Sequence, residues 1–213
     1  MKIFSIELSS SRGSIALLAD GKIVFEKSWV EDFKNRQQLF DALAASGLAW
    51  EEIDLFAVGR GPGAFSGLRI SFSVANALAA PGGKPLYALN SGAALAAQFN
   101  LPRLAVVGDA RRKKVWVGLF SGTSLEKEFR LLDADELADF IPPDALVVSP
   151  DYDRLKDLLQ KFTLPENPET FFPTAGKLAE QVFTRLQEGL DSEPLEPLYM
   201  HPPVFVKPRF FDK

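Results

Sequence analysis

No cysteine occurs in the 213 residues, which removes disulfides, thiolate nucleophiles and Cys-ligated zinc from consideration. Histidine is nearly absent as well. His201 stands alone, so a paired-histidine metal site cannot be assembled, and a Ser-His-Asp triad would have to take its imidazole from a proline-rich tail. No apolar run approaches the roughly 20 residues of a membrane span, so no membrane role is expected. The opening Met1-Lys2-Ile3-Phe4-Ser5-Ile6-Glu7 carries an acid early and no long apolar stretch, unlike a secretory signal, and the expected location is cytoplasmic. A cationic excess is missing too. With 24 Lys+Arg against 28 Asp+Glu and a net charge of -4, the chain is not built to grip nucleic acid unaided, and any such contact is expected to draw on a partner's basic surface.

What is present is a chain of ordinary globular composition, 46% hydrophobic, long enough to bury a core in one domain or in two of about 100 residues each. Ile3 to Leu8, Ile15 to Ala19 and Lys22 to Val30 read as a three-strand meander, with Asp20-Gly21 turning its second hairpin. Residues 31–46 turn helical, with Phe33, Leu39, Phe40, Leu43 and Ala44 at spacings of three and four, and Gly47 stops them. Strand Leu55 to Val58, helix Gly67 to Ala79, strand Pro85 to Leu89 and helix Ser91 to Phe99 follow. After Asn100-Leu101-Pro102 a similar order begins again: strands Arg103 to Ala110, Lys114 to Phe120 and a weaker Glu126 to Leu131, helix Asp135 to Ile141, strand Ala145 to Val148 and helix Asp151 to Phe162. The last helix has the cleanest apolar stripe, Ala175, Leu178, Ala179, Val182, Phe183 and Leu186, ended by Gly189. Laying the second half on the first superposes Glu7 on Asp109, Ser9 on Arg111, Ile15 on Val117 and Leu17 on Leu119. Any two α/β halves share part of such a pattern, yet it favours a duplicated α/β chain divided into 1–100 and 101–213.

The stretch Gly59-Arg60-Gly61-Pro62-Gly63-Ala64-Phe65-Ser66-Gly67 joins an apolar strand to a helix. Its Gly-x-Gly-x-x-Ala spacing formally meets a dinucleotide fingerprint, which also needs an acid about 20 residues on to hold the ribose. From Leu55 through Gly108 there is no Asp or Glu. A P-loop is excluded because no Gly-Lys-Ser/Thr closes the turn. The loop therefore reads as structural, with Gly59, Gly61, Pro62 and Gly63 shaping the turn and Ser66 capping the helix after it. That helix, 67–79, carries Arg69 as its only charge and small or apolar residues on every face. Burial between the two halves and cover by a partner both fit such a helix. Arg111-Arg112-Lys113-Lys114 is the one basic run, and a solvated hairpin turn and a share in a nucleic-acid surface are both open to it.

These residues resemble a known family. Val58-Gly59-Arg60-Gly61-Pro62-Gly63-Ala64-Phe65-Ser66-Gly67-Leu68-Arg69-Ile70 resembles the Gly-x-Gly-Pro-Gly-Ser-Phe-Thr-Gly-(Leu/Val)-Arg-Ile signature of the TsaB (YeaZ) family. Asp109-Ala110-Arg111 with the aromatic strand after it, and Pro197-Leu198-Tyr199-Met200 with Val206-Lys207-Pro208, are similar to that family's later segments. The resemblance implies a duplicated actin-like, Hsp70-like (ribonuclease H-like) fold. It also implies a non-catalytic scaffold or activator of the paralogue TsaD, in the N6-threonylcarbamoyladenosine modification of tRNA at position 37. TsaD would be met through helices corresponding to residues 33–46 and 67–79, with Phe40, Leu43, Leu68, Phe72, Ala75 and Ala79 as the expected seam. Whether Phe40 and Leu43 face outward or into their own sheet is open on periodicity alone. A small ATPase, TsaE, would join the assembly, tRNA would be met only through the complex, and the chain alone would pair with itself. Glu7, Ser9, Ser10, Asp109 and Arg111 fall where the superfamily places its two phosphate turns, and here they read as vestigial. Glu7 stands where most relatives have Asp, and Asn35-Arg36-Gln37 where many have His-Ser. No catalytic residue, metal ligand or cofactor of the chain's own is expected, ATP and a divalent metal being left to the partners. The alternative is a stand-alone enzyme of the actin-like class, a kinase or a glycoprotease-like peptidase.

Overall fold

The computed structural model describes residues 1–31 and 37–201. Residues 32–36 of the expected first helix, with Phe33 and the Asn35-Arg36 departure, and Val206-Lys207-Pro208 lie outside the described residues. Strands β1 (Lys2–Glu7), β2 (Arg12–Ala19) and β3 (Lys22–Val30) form the meander, and β4 (Leu55–Gly59) and β5 (Leu86–Leu89) complete a sheet of order β3-β2-β1-β4-β5. In the second half β6 (Leu104–Arg111), β7 (Lys114–Ser121), β8 (Ser124–Leu125), β9 (Arg130–Asp133) and β10 (Leu146–Val148) form a second sheet, in which β10 and β7 flank β6. In each sheet the central strand pairs antiparallel with the next in sequence and parallel with a later one: β1 with β2 and β4, β6 with β7 and β10. This shared core order is the duplicated actin-like α/β arrangement.

Helices α1 (Gln38–Ser46) and α2 (Phe65–Ala79) cover the outer face of the first sheet, where Leu39, Ala42, Phe72 and Ala75 join Phe4, Ile6, Phe56 and Val58 in one buried cluster. Helices α4 (Leu137–Phe140) and α5 (Tyr152–Leu159) do the same for the second sheet around Val107, Val117, Val147 and Leu159. The inner faces share a third cluster with α3 (Ser91–Ala96) and α6 (Ala175–Gln187) between them, running from Ile3 and Ala57 to Val106, Trp116 and Phe120. Strand β1 is buried on both sides, so its side chains alternate between two cores and fix its register.

Helix α6 lies against β1, β2 and β4, on the first sheet, although it follows the second in sequence. Its start is pinned there: Ala175 N–H donates to Ser14 Oγ at 2.8 Å, Gly176 N–H to Glu26 Oε1 at 2.9 Å, and Ser5 Oγ–H to Ala175 O at 2.7 Å. The Ser14 and Glu26 oxygens satisfy two of the N–H groups that the first turn of a helix leaves open.

Three expectations change. Helix α2 begins at Phe65 with Ala64 as its cap residue and no side-chain cap bond, so Ser66 sits in the first turn and caps nothing. The start is held instead by Ala64 N–H donating to Ser9 O at 2.7 Å. The third strand of the second half is split into β8 and β9, both paired with β7. The segment between them is displaced by the Phe129 ring, which sits beside Gly118 and packs on Trp116 and Phe120 with centroids 5.7 and 6.1 Å away. Third, α2 is not enclosed between the halves. It packs on the outer face of the first sheet.

Candidate functional site: the cleft between the halves

In parallel strands the carboxyl ends point the same way, and ligand crevices in α/β folds open there. The ends of β1, β4 and β5 converge on Glu7, Arg60 and Asn90-Ser91, and those of β6 and β10 on Asp109 and Ser149-Asp151. Between these two sets of ends lies a cleft of about 1380 Å³. Its walls bring together the Ser9-Ser10-Ser11 turn, the glycine loop, the Asp109–Arg112 hairpin, Asp151 with Arg154, and the segment Glu196–His201. Of the residues assigned to phosphate turns, Ser9, Ser10, Asp109 and Arg111 therefore do meet at one cleft.

Glu7 does not line it. The carboxylate is fully buried under the floor, where Oε1 accepts the Ser9 N–H at 2.7 Å and Oε2 accepts the Ser91 hydroxyl at 2.8 Å. Ser91 Oγ in turn accepts the Gly61 N–H at 3.1 Å, and Ser91 N–H donates to Gly61 O at 2.8 Å, so the acid, the helix start and the glycine loop form one unit. Burial pushes the Glu7 carboxyl above its ordinary value of 4.5, and the hydrogen bonds from Ser9 and Ser91 only partly offset this. The folded state thus holds the proton more tightly than the unfolded chain. Stability from this group is fully present below 4.5 and declines as pH rises through the folded value. Urea unfolding of the wild type and Glu7→Gln across this range checks it: the wild-type advantage should shrink with rising pH and then level off, and an advantage that grows would contradict the assignment.

The loop is packed against the first turn so closely that side chains are excluded. A Cβ on Gly63 would overlap Ser9 O, and one on Gly67 would overlap Leu8 O. Gly61 adopts φ +95°. Gly61 and Gly63 are therefore positions where only glycine fits.

On the far wall Asp109 is the centre of a charge cluster. Arg111 Nη1 lies 3.0 Å from its Oδ2 and Arg154 Nη1 3.8 Å, while its N–H donates to Asp151 Oδ2 at 3.0 Å. Burial raises the Asp151 carboxyl, opposed by the Asp109 N–H and by Arg154. Arg111, Arg112 and Lys113 all have positive φ and are exposed, so the basic run forms the tip of the β6–β7 hairpin.

The C-terminal segment forms a strap that nothing in its proline-rich composition announced. Glu193 N–H donates to Ala88 O at 3.0 Å, extending the β5 edge. Arg60, almost buried, donates from Nε to Glu196 O at 3.0 Å and meets Glu193 Oε2 at 3.4 Å. Leu198 N–H donates to Arg60 O at 2.7 Å, the Tyr199 ring rests 4.9 Å from that of Phe65, and the His201 ring lies 2.6 Å from Ala110 O in the other half. Arg60, Ser91, Asp151, Trp116 and this strap were missed in the sequence. The usable signal was topological, since each wall residue except the strap stands just past the end of a parallel strand or on the hairpin beside one.

The seam residues divide. Leu68, Phe72, Ala75 and Ala79 are buried and Leu43 is half-buried, all turned towards the chain's own core, so they correct the expectation that they face a partner. Their spacing of three and four is the stripe that seats α1 and α2 on the sheet. Phe40 is 56% exposed. The outward line of α2 is Phe65, Arg69, Ser73, Asn76 and Ala77.

Among the described residues no helix is long and apolar enough to cross a membrane. A family profile described as TsaD, tRNA N6-adenosine threonylcarbamoyltransferase, matches residues 37–134. The chain is 29% identical over 127 residues to tRNA threonylcarbamoyladenosine biosynthesis protein TsaB of Haemophilus influenzae, a match covering 54% of this chain and 52% of that one, about half the relative's length. Among solved structures it is similar to YeaZ from Pseudomonas aeruginosa, with a TM-score of 0.71 and 25% identity over 93% of this chain and 99% of that one. A structure of an uncharacterized protein with similarity to peptidase YEAZ from Pseudomonas aeruginosa gives a TM-score of 0.76 at 24% identity, covering 94% and 99%. With the glycine signature joining β4 to α2, and near-complete overlap with YeaZ, the chain is similar to TsaB and YeaZ proteins in sequence and in fold.

Proposed function

We propose that the chain is a non-catalytic subunit for N6-threonylcarbamoyladenosine modification of tRNA, acting as scaffold and activator of a TsaD-type enzyme, with a TsaE-like ATPase in the same assembly. The observation that carries the proposal is the outer face of the first half. Phe40 on α1 stands exposed, small residues Ser73 and Ala77 on the outward line of α2 let another helix approach closely, and α2 carries no acid. Helices α1 and α2 are neighbours here, since Leu39, Gly67 and Ile70 line one small hollow between them. A partner helix pair laid on this face would make a four-helix contact. In the chain alone the same face would pair with a second copy.

The reading as non-catalytic is supported by the state of the acid that ends strand one. Both Glu7 oxygens are engaged below the cleft floor, so the carboxylate is not presented to a nucleotide-bound divalent ion. The cleft residues do not fit the metal-nucleotide role of this position in the superfamily, and ATP and metal are assigned to the partner subunits. The alternative, a stand-alone kinase or glycoprotease-like peptidase, has the cleft in its favour and the engaged Glu7 carboxylate against it. Co-expression with the cognate TsaD-type protein followed by size-exclusion chromatography tests the proposal. A stable co-eluting pair is expected, and consistent separate elution, or turnover of Mg-ATP by the isolated chain, would reject it.

A further inference from the structure

We infer that the mouth of the cleft, where α2 starts beside the strap, is a contact site for a single-stranded, base-bearing phosphodiester, the unpaired loop of an RNA. The inference rests on the proposed role in tRNA modification and adds to it which surface of this chain would touch the RNA. Three observations combine. First, the cleft reverses the charge of the molecule: five arginines line it against three carboxylates, in a chain of net charge -4. Of the five, Arg60, Arg111 and Arg154 are matched to Glu193, Asp109 and Asp151. Arg69 and Arg112 have no carboxylate within ion-pair distance among the described residues, and they stand on opposite halves. Second, the mouth carries an exposed aromatic pair. Phe65 is 58% and Tyr199 43% exposed, their rings lie 4.9 Å apart, and the Arg69 guanidinium covers the Phe65 ring at 5.4 Å. Third, the strap that carries Tyr199 is tied to the almost buried Arg60, through the Leu198 N–H to Arg60 O bond and the Arg60 Nε–H to Glu196 O bond.

Aromatic faces flanked by guanidinium groups bind unpaired bases by stacking and their phosphates by charge, whereas a duplex keeps its bases stacked on one another. The two uncommitted arginines supply phosphate partners, and Phe65 with Tyr199 supplies a platform. A free nucleotide shares this chemistry, and the test separates it.

Fluorescence anisotropy of the full chain at low salt would use a short labelled RNA hairpin with an unpaired loop, the same strand fully duplexed, and ATP as competitor. The hairpin is expected to bind about ten-fold more tightly than the duplex, and Tyr199→Ala to remove that preference, as base stacking on one aromatic predicts. Arg69→Ala and Arg112→Ala are each expected to lower the slope of log affinity against log salt by about 0.7. Equal affinity for hairpin and duplex, or a preference untouched by Tyr199→Ala, would overturn the inference, as would full displacement by stoichiometric ATP, which would make the site a nucleotide pocket. Circular dichroism and co-elution with the TsaD-type partner, run on the same variants, keep the two readings apart. Loss of RNA contact with co-elution intact leaves the subunit role standing, and a wild type that co-elutes but shows no loop preference sinks the RNA site alone.

Discussion

Gly59→Ala is expected to destabilise the protein by about 3–5 kcal/mol, far beyond the ~1 kcal/mol of a typical point change. The backbone there is unremarkable; the cost is steric and polar together. A Cβ at position 59 would overlap Glu7 Oε2 and approach Ser91 Oγ to 2.8 Å, so the new methyl must displace a buried carboxylate from the bonds that hold it. Forcing a methyl into a full site costs roughly 1–3 kcal/mol, and leaving a buried acceptor unpaired adds a similar amount. Denaturant unfolding followed by circular dichroism measures this. The double variant with Glu7→Ala identifies the cause, because truncating the acid removes the clash. The two changes together should cost less than their sum, and strict additivity would show that the glycine answers to something else.

That glycine illustrates what could be read from the chain and what could not. Strand positions in both halves were legible because β4 and the first half of β6 are buried on two faces and read as apolar runs, β1 is apolar apart from Ser5 and its ends, and β3 alternates as an edge strand should. The spacing of Gly59, Gly63 and Gly67 showed that side chains were excluded but not by what; the neighbours, Glu7, Ser9 O and Leu8 O, come from the end of β1 and the turn after it, distant in sequence. The phase of α2 was illegible for a related reason. With apolar or small residues on all sides, periodicity could not say that Leu68, Phe72 and Ala75 seat the helix while Phe65, Ser73 and Ala77 face out. The strap was the least legible part, since an extended, proline-rich segment has no period. Its position depends on single bonds such as Leu198 N–H to Arg60 O.

The phase of α2 gives the second large effect. Phe72→Glu should unfold the first half and lower the melting temperature by about 10 °C or more, because it places a carboxylate without a partner among Phe4, Ile6 and Val58 and removes a buried ring, a combined loss of about 4 kcal/mol or more. Phe40→Glu and Ala77→Glu change exposed positions on α1 and α2, and their melting temperatures should stay within about 2 °C of wild type, as surface changes of ±0.5 kcal/mol imply. Their effect should fall on association instead. A charge introduced at the centre of a desolvated seam is expected to weaken co-elution with the TsaD-type partner by about 100-fold, equivalent to ~2.7 kcal/mol, and to shift any homodimer to monomer in light scattering. The contrast is what discriminates. If Phe72→Glu keeps its melting temperature while losing the partner, α2 is rotated from the arrangement described above. If Phe40→Glu and Ala77→Glu both leave association intact, the outer face of the first half is not the docking surface, and the proposed subunit role must rest on another surface.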